Sequence, residues 1–134
     1  GGGNFRSIHT YFKSLAPEDP DDKRAVILSE FGGYALKIDG HVWDPETEFG
    51  YKKFETQEGL TQAYLNLLES QLKSWVENGL SGAVYTQTSD VEIEINGYLT
   101  YDREIVKVDT ETLKKIHQKL IDIGSLDQKD VNNN

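Results

Sequence analysis

A mixed α/β fold is predicted for this chain by three features of its sequence. Ala25-Val26-Ile27-Leu28 is a continuous apolar run that stops at Ser29-Glu30-Phe31-Gly32-Gly33. Leu60 to Asn78 carries apolar residues at spacings of three and four, and Gly82 to Gln87 forms a second short run. A continuous apolar run suits a strand buried on both faces, as in parallel sheets, whereas the three-four spacing marks an amphipathic helix. Strand, long loop, helix, strand, loop, helix is a βαβα order. It predicts a parallel pair joined by a right-handed crossover, a slice of an α/β barrel or of an open doubly wound sheet.

Each element has its own local cause. Phe5 to Phe12 is a short β-prone run. Pro17-Glu18-Asp19-Pro20-Asp21-Asp22, with two prolines and four acids, predicts a solvated loop; the ligand spacing and Gly of a calcium loop are missing from it. Residues 34–59 form a long connection rich in aromatics, namely Tyr34, Trp43, Phe49, Tyr51 and Phe54, and too aromatic for disorder. In the first helix the stripe is Leu60, Ala63, Tyr64, Leu67, Leu68, Leu72, Trp75 and Val76, with Gly79 where a C-terminal cap belongs. Asn96-Gly97, flanked by alternating residues in Ile93 to Leu99, predicts a hairpin. Leu113, Ile116, Leu120 and Ile121 mark a last helix, with Asp109 or Thr110 as N-cap and Gly124 as terminator. Residues 1–4 are expected to be a flexible start or a remnant of cloning, 5–124 the folded unit, and 125–134 a polar tail that frays.

Composition narrows the function classes. The 134 residues are about one domain, with 37% hydrophobic and 28% charged residues. A formal net charge of −9 argues against nucleic-acid and anionic-membrane partners, which require clustered Lys and Arg. Without Cys there is neither a disulfide framework nor thiolate chemistry. No apolar run approaches the roughly 18 residues that span a bilayer. The start carries no secretion signal, which for an excised piece leaves the compartment open between cytoplasm and a secreted parent. The scattered His9, His41 and His117 do not alter that charge argument, and no cofactor and no metal are expected: no His lies near Asp90, Glu92 and Glu94 in sequence.

Glu30 is the foremost candidate for chemistry. It ends a buried strand, where α/β folds collect their ligands, and two glycines let the backbone turn after it. A carboxylate there can serve as nucleophile or general base, or it can pair with Arg24 or Lys37 in a structural role. His9 and Tyr11 alternate at the end of the first run, as Tyr85 and Gln87 do on the later strand. Each pair can project to one side as hydrogen-bonding groups around a pocket, or be ordinary strand residues.

With these residues in place, a family resemblance enters. Ser29-Glu30-Phe31-Gly32 after a buried strand resembles the nucleophile motif of glycoside hydrolase family 2, whose catalytic domain is an eight-stranded α/β barrel. Ile8-His9-Thr10-Tyr11 is similar to the end of that family's sixth strand, where a tyrosine commonly sits against the nucleophile. Gly82 to Glu92 looks like its eighth strand, and Asn96 to Arg103 like the segment that follows in a bacterial branch. The likeness runs in one consistent order over residues 5–122. It implies the carboxyl-terminal part of a (β/α)8 TIM barrel, about the last three strands and last two helices. It further implies a retaining exo-glycosidase, β-galactosidase-like, with Glu30 as nucleophile. Tyr11 would orient Glu30, and His9, Tyr11, Tyr34, Trp43, Tyr85, Gln87 and Asp90 would be substrate-binding candidates.

Two departures qualify the likeness. The family's acid/base Glu follows an Asn, and no Asn-Glu pair occurs in this chain. Many members carry a tryptophan in the last strand, where this chain has Tyr85-Thr86-Gln87. The isolated chain is therefore expected to be inactive, to act on carbohydrate only within its parent, and to self-associate through exposed strand edges. The alternative is a non-catalytic carbohydrate-binding or structural domain; binding modules are usually β-sandwiches, and two amphipathic helices count against one.

Overall fold

The computed structural model describes residues 3–11 and 23–131. Three strands form the main sheet: β1 (Phe5–Thr10), β2 (Ala25–Gly32) and β5 (Leu80–Thr86). β2 is central, and both of its pairings are parallel. The acidic loop expected at Pro17 to Asp22 and the strand end at Phe12 lie outside the described residues.

The apolar run of β2 is buried on one face instead of two. Val26 and Leu28 are buried, whereas Ala25 and Ile27 are partly open. Among the described residues helices cover the first of these faces, so the strand alternates as a half-covered strand does. β5 departs further from the expected buried strand: Val84 is 55% exposed, and Ser81 and Ala83 are exposed as well. Among the described residues no strand pairs with its outer edge.

The pleat of β2 is interrupted at one place. Ile8 pairs with Leu28, but His9 pairs with Glu30, so Ser29 is the extra residue of a bulge. Leu28 and Phe31 both enter the core, three residues apart. Without the bulge Glu30 would share the face of Val26 and Leu28. With it, Glu30 is carried to the open face beside His9.

The helix predicted from Leu60 starts earlier and is not uniform. It comprises α1 (Gln57–Leu67), a π-helical turn (Leu68–Leu72) and α2 (Lys73–Glu77). Thr56 caps it, its hydroxyl accepting from the Gly59 N–H at 3.0 Å. Leu60, Tyr64, Leu68 and Leu72 recur every fourth residue and are buried against the sheet. Each such side chain contributes about 1.5–3 kcal/mol by leaving water. Gly79, at φ +94°, ends the helix as its sequence predicts.

The long connection contains a second small sheet, β3 (Tyr34–Leu36) paired in parallel with β4 (Lys52–Phe54). The predicted Asn-Gly hairpin is not formed. Asn96 is buried, its carbonyl accepting from Gln87 N–H at 3.1 Å, and a Cβ on Gly97 would lie 2.3 Å from the Asp90 nitrogen. Glycine is required there for a close backbone crossing, not for a turn tip. The last helix, α3 (Thr110–Val131), begins where Asp109 caps it, its carboxylate accepting from Thr112 N–H at 3.0 Å. Gly124 does not terminate α3. It lies inside the helix, where an added Cβ would come 3.3 Å from a Val76 methyl carbon, so it permits close approach to α2. Helical backbone therefore continues into the expected polar tail. Among the described residues no helix is long and apolar enough to cross a membrane.

Candidate active site

Glu30 sits at the carboxyl end of β2, 44% exposed, with its Oε2 facing two groups from the end of β1. The Tyr11 hydroxyl donates to Oε2 at 2.7 Å, and His9 Nδ1 lies 3.5 Å from the same oxygen. The first is a charge-assisted hydrogen bond; the second is too long for a strong one and acts through charge when the imidazole is protonated. Among the described residues Oε1 has no such contact.

Tyr11 is itself fixed on two sides. Its oxygen lies 3.2 Å from Thr86 Oγ1 at the end of β5. A phenol has a single proton, and Glu30 takes it, so the Thr86 hydroxyl donates to the phenol oxygen. The Tyr11 ring stacks on Tyr51 at 4.1 Å between centroids, and Phe49 meets Tyr51 edge-on at 5.4 Å. Burial above all pushes the Tyr11 pKa up to about 12; the Thr86 contact, next in size, opposes this, and the donated bond to Glu30 adds to it. The phenol is thus protonated, and a donor, throughout the neutral range.

The glycines after Glu30 hold this wall in place. Gly33 has φ +66°, and a Cβ there would lie 2.5 Å from the Tyr51 ring and 3.1 Å from the Tyr11 ring. Its N–H donates to the Thr86 carbonyl and its carbonyl accepts from Tyr51 N–H, tying β2, β5 and the long connection at one point. Gly32, at φ +89°, is covered by Tyr85, whose ring would stand 2.2 Å from an added Cβ.

The remaining candidates lie away from Glu30's contacts. Tyr85 and Gln87 do not project together into the pocket; Thr86, between them, reaches the Glu30 side. The Tyr85 ring is packed among Phe31, Tyr64 and Tyr98, and its hydroxyl accepts from Tyr34 N–H at 3.3 Å. Gln87 donates to Asn96 Oδ1 at 2.6 Å and to Glu94 Oε2 at 3.3 Å. Tyr34 is a core residue against Phe54, so its ring offers no open face of the kind a sugar platform needs. Trp43 is exposed and tilts over Tyr101 at 5.1 Å. Asp90 is only 2% exposed; Lys107 grips both its oxygens at 2.7 and 3.0 Å, and Gly97 N–H donates to it at 2.8 Å. That commits the Asp90 carboxylate to a buried ion pair instead of an exposed sugar contact.

Thr86 and Tyr51 are the contacts that sequence reasoning did not assign. Strand alternation pointed to Thr86's two neighbours, and Tyr51 was one aromatic among several in a connection of unassigned shape. Neither protein-family models nor curated protein sequences give a match to this chain.

Proposed function

We propose that this chain is the carboxyl-terminal part of the catalytic barrel of a retaining exo-glycosidase similar to glycoside hydrolase family 2, with Glu30 as nucleophile. The observation that carries the proposal is the Tyr11 hydroxyl bonded to Glu30 Oε2, with Oε1 making no such contact among the described residues. A strand-end carboxylate oriented by a phenol that stays protonated suits a nucleophile that must be ionised at neutral pH. Parallel strands in chain order, with a helical crossover between β2 and β5, are what consecutive strands of such a barrel supply. The open outer edge of β5 fits a chain whose neighbouring strand belongs to another part of the protein.

The proposed chemistry is that of a retaining glycosidase. Glu30 Oε1 attacks the anomeric carbon and forms a glycosyl-enzyme as the glycosidic oxygen leaves with a proton from a second carboxylic acid. That acid then takes a proton from water, which attacks the same carbon and releases Glu30. In retaining enzymes the two carboxyls stand about 5–5.5 Å apart. The partner acid would come from the parent, since the Asn-Glu pair is missing here. The Tyr51 and Phe49 rings beside Tyr11 offer an apolar wall for a sugar or its leaving group.

Replacement of Glu30 by Gly in the parent tests this. The variant is expected to lose aryl-glycoside turnover by several orders of magnitude. Added azide should then restore it and yield a glycosyl azide of inverted anomeric configuration, because azide occupies the space of the lost carboxylate. Full activity in the Gly variant without azide would refute the assignment.

A further inference from the structure

Away from Glu30, the long connection and the segment after Ser89 meet at a second group of donors. His41 Nδ1 lies 2.7 Å from Asp102 Oδ2 and 4.0 Å from Glu104 Oε2. One donor atom from each of the three residues falls within 4.8 Å of the others. In the sequence His41 and Asp102 are 61 residues apart, so no local motif announces the cluster.

The arrangement is held by packing as well as by charge. Trp43, two residues from His41, tilts over Tyr101, next to Asp102, and this ring pair clamps the two segments together. Asp102 presents only one oxygen to His41, because Oδ1 accepts from the Thr100 hydroxyl at 2.6 Å and from Glu104 N–H at 3.1 Å. Thr100 is buried and fixed, and Arg103 at φ +65° bends the backbone between the two acids. Orientation of a carboxylate through its second oxygen is how outer hydrogen bonds prepare a metal ligand.

From this we infer that His41, Asp102 and Glu104 form a binding site for one divalent transition-metal ion of the zinc type. A tetrahedral site with bonds of about 2.0–2.2 Å places donor atoms about 3.3–3.6 Å apart, and the two distances from His41 bracket that spacing. A closing movement of Glu104 and a slight opening of Asp102 would seat the ion. One imidazole and two carboxylates satisfy the ligand preferences of zinc and leave a fourth position for water or a ligand. Calcium calls for six to eight oxygen donors and gains little from an imidazole. The site does not depend on the glycosidase proposal, and it shares no residue with Glu30's contacts.

Zinc chloride competed against a chromophoric chelator, with the full 134-residue chain at neutral pH, tests the site. One equivalent is expected to bind with a micromolar dissociation constant, millimolar calcium should not displace it, and His41→Ala and Asp102→Asn should each weaken binding at least about tenfold. Circular dichroism checks that the variants are folded. Should either variant misfold, the wild-type chain decides by NMR: zinc must shift the His41 ring signals and leave those of His117 in place. Absence of binding tighter than millimolar, unchanged affinity in a folded His41→Ala, or ring shifts confined to other histidines would each overturn the inference.

Discussion

Tyr11 and Glu30 are joined by a 2.7 Å hydrogen bond from the phenol to the carboxylate, across the ends of two parallel strands. Tyr11 is useful there because its phenol keeps its proton up to about pH 12. Under the proposed glycosidase function, Tyr11→Phe in the parent protein removes one charge-assisted bond worth about 1.5–3 kcal/mol, so kcat/KM should fall about ten- to hundredfold. Steady-state kinetics on an aryl glycoside checks this; an unchanged rate would show that Glu30 does not depend on the phenol.

Lys107 and Asp90 form a buried ion pair in the fold. Lys107 is fully buried and donates to both Asp90 oxygens and to the Leu36 and Ile95 carbonyls. Burial opposes both charges, raising the Asp90 pKa and lowering that of Lys107, while each partner opposes the other's shift. Lys107→Met strands a carboxylate in the interior and should destabilise by about 3–5 kcal/mol. Urea unfolding measures it, and Asp90→Asn combined with Lys107→Met should recover part of the loss.

Gly32 has no room for a side chain. Gly32→Ala meets both a positive φ and the Tyr85 ring. A loss of at least about 1–3 kcal/mol is expected from the backbone alone. Thermal melts of the variant in the native and Tyr85→Ala backgrounds separate the causes: the substitution should cost less once the ring is gone.

His117 makes stability depend on pH near neutrality. Its Nε2 lies 2.8 Å from the Tyr64 hydroxyl, and burial lowers its pKa below the ordinary value of 6.5. The unfolded chain then binds the proton more readily than the folded one, so this contribution destabilises as pH falls below 6.5 toward the folded pKa. Above 6.5 the group is neutral in both states and contributes no slope. Melting temperature should therefore drop between pH 7 and 5, and His117→Gln should flatten that drop. An equal slope in the variant would locate the effect elsewhere.

Much of the architecture was legible because it rests on local periodicity. The stripe from Leu60 to Leu72, the caps at Gly79 and Asp109 and the strand before Glu30 all follow from spacing and residue type. What the sequence hid depends on contacts between distant segments. The bulge at Ser29 decides which face Glu30 occupies, and no residue pattern marks it. Asn96-Gly97 has the composition of a turn but is used where Ser89 and Asp90 cross close by. In sequence Tyr34 is one aromatic of the long connection, Tyr85 a strand residue with a polar tip and Asp90 one acid of a group with Glu92 and Glu94, yet the core and Lys107 absorb them. Tyr11 and Glu30 could be paired from sequence through a family likeness, whereas Thr86 and Tyr51 required the fold.

The central claim is that Glu30 becomes covalently glycosylated. The most direct measurement is to incubate the folded parent with a panel of 2-deoxy-2-fluoro glycosides and to map the adduct by peptide mass spectrometry. A single sugar adduct on Glu30 is the expected result, and the sugar that reacts identifies the substrate class. An adduct on another carboxylate, or none with any sugar in a parent that hydrolyses glycosides, would contradict the account.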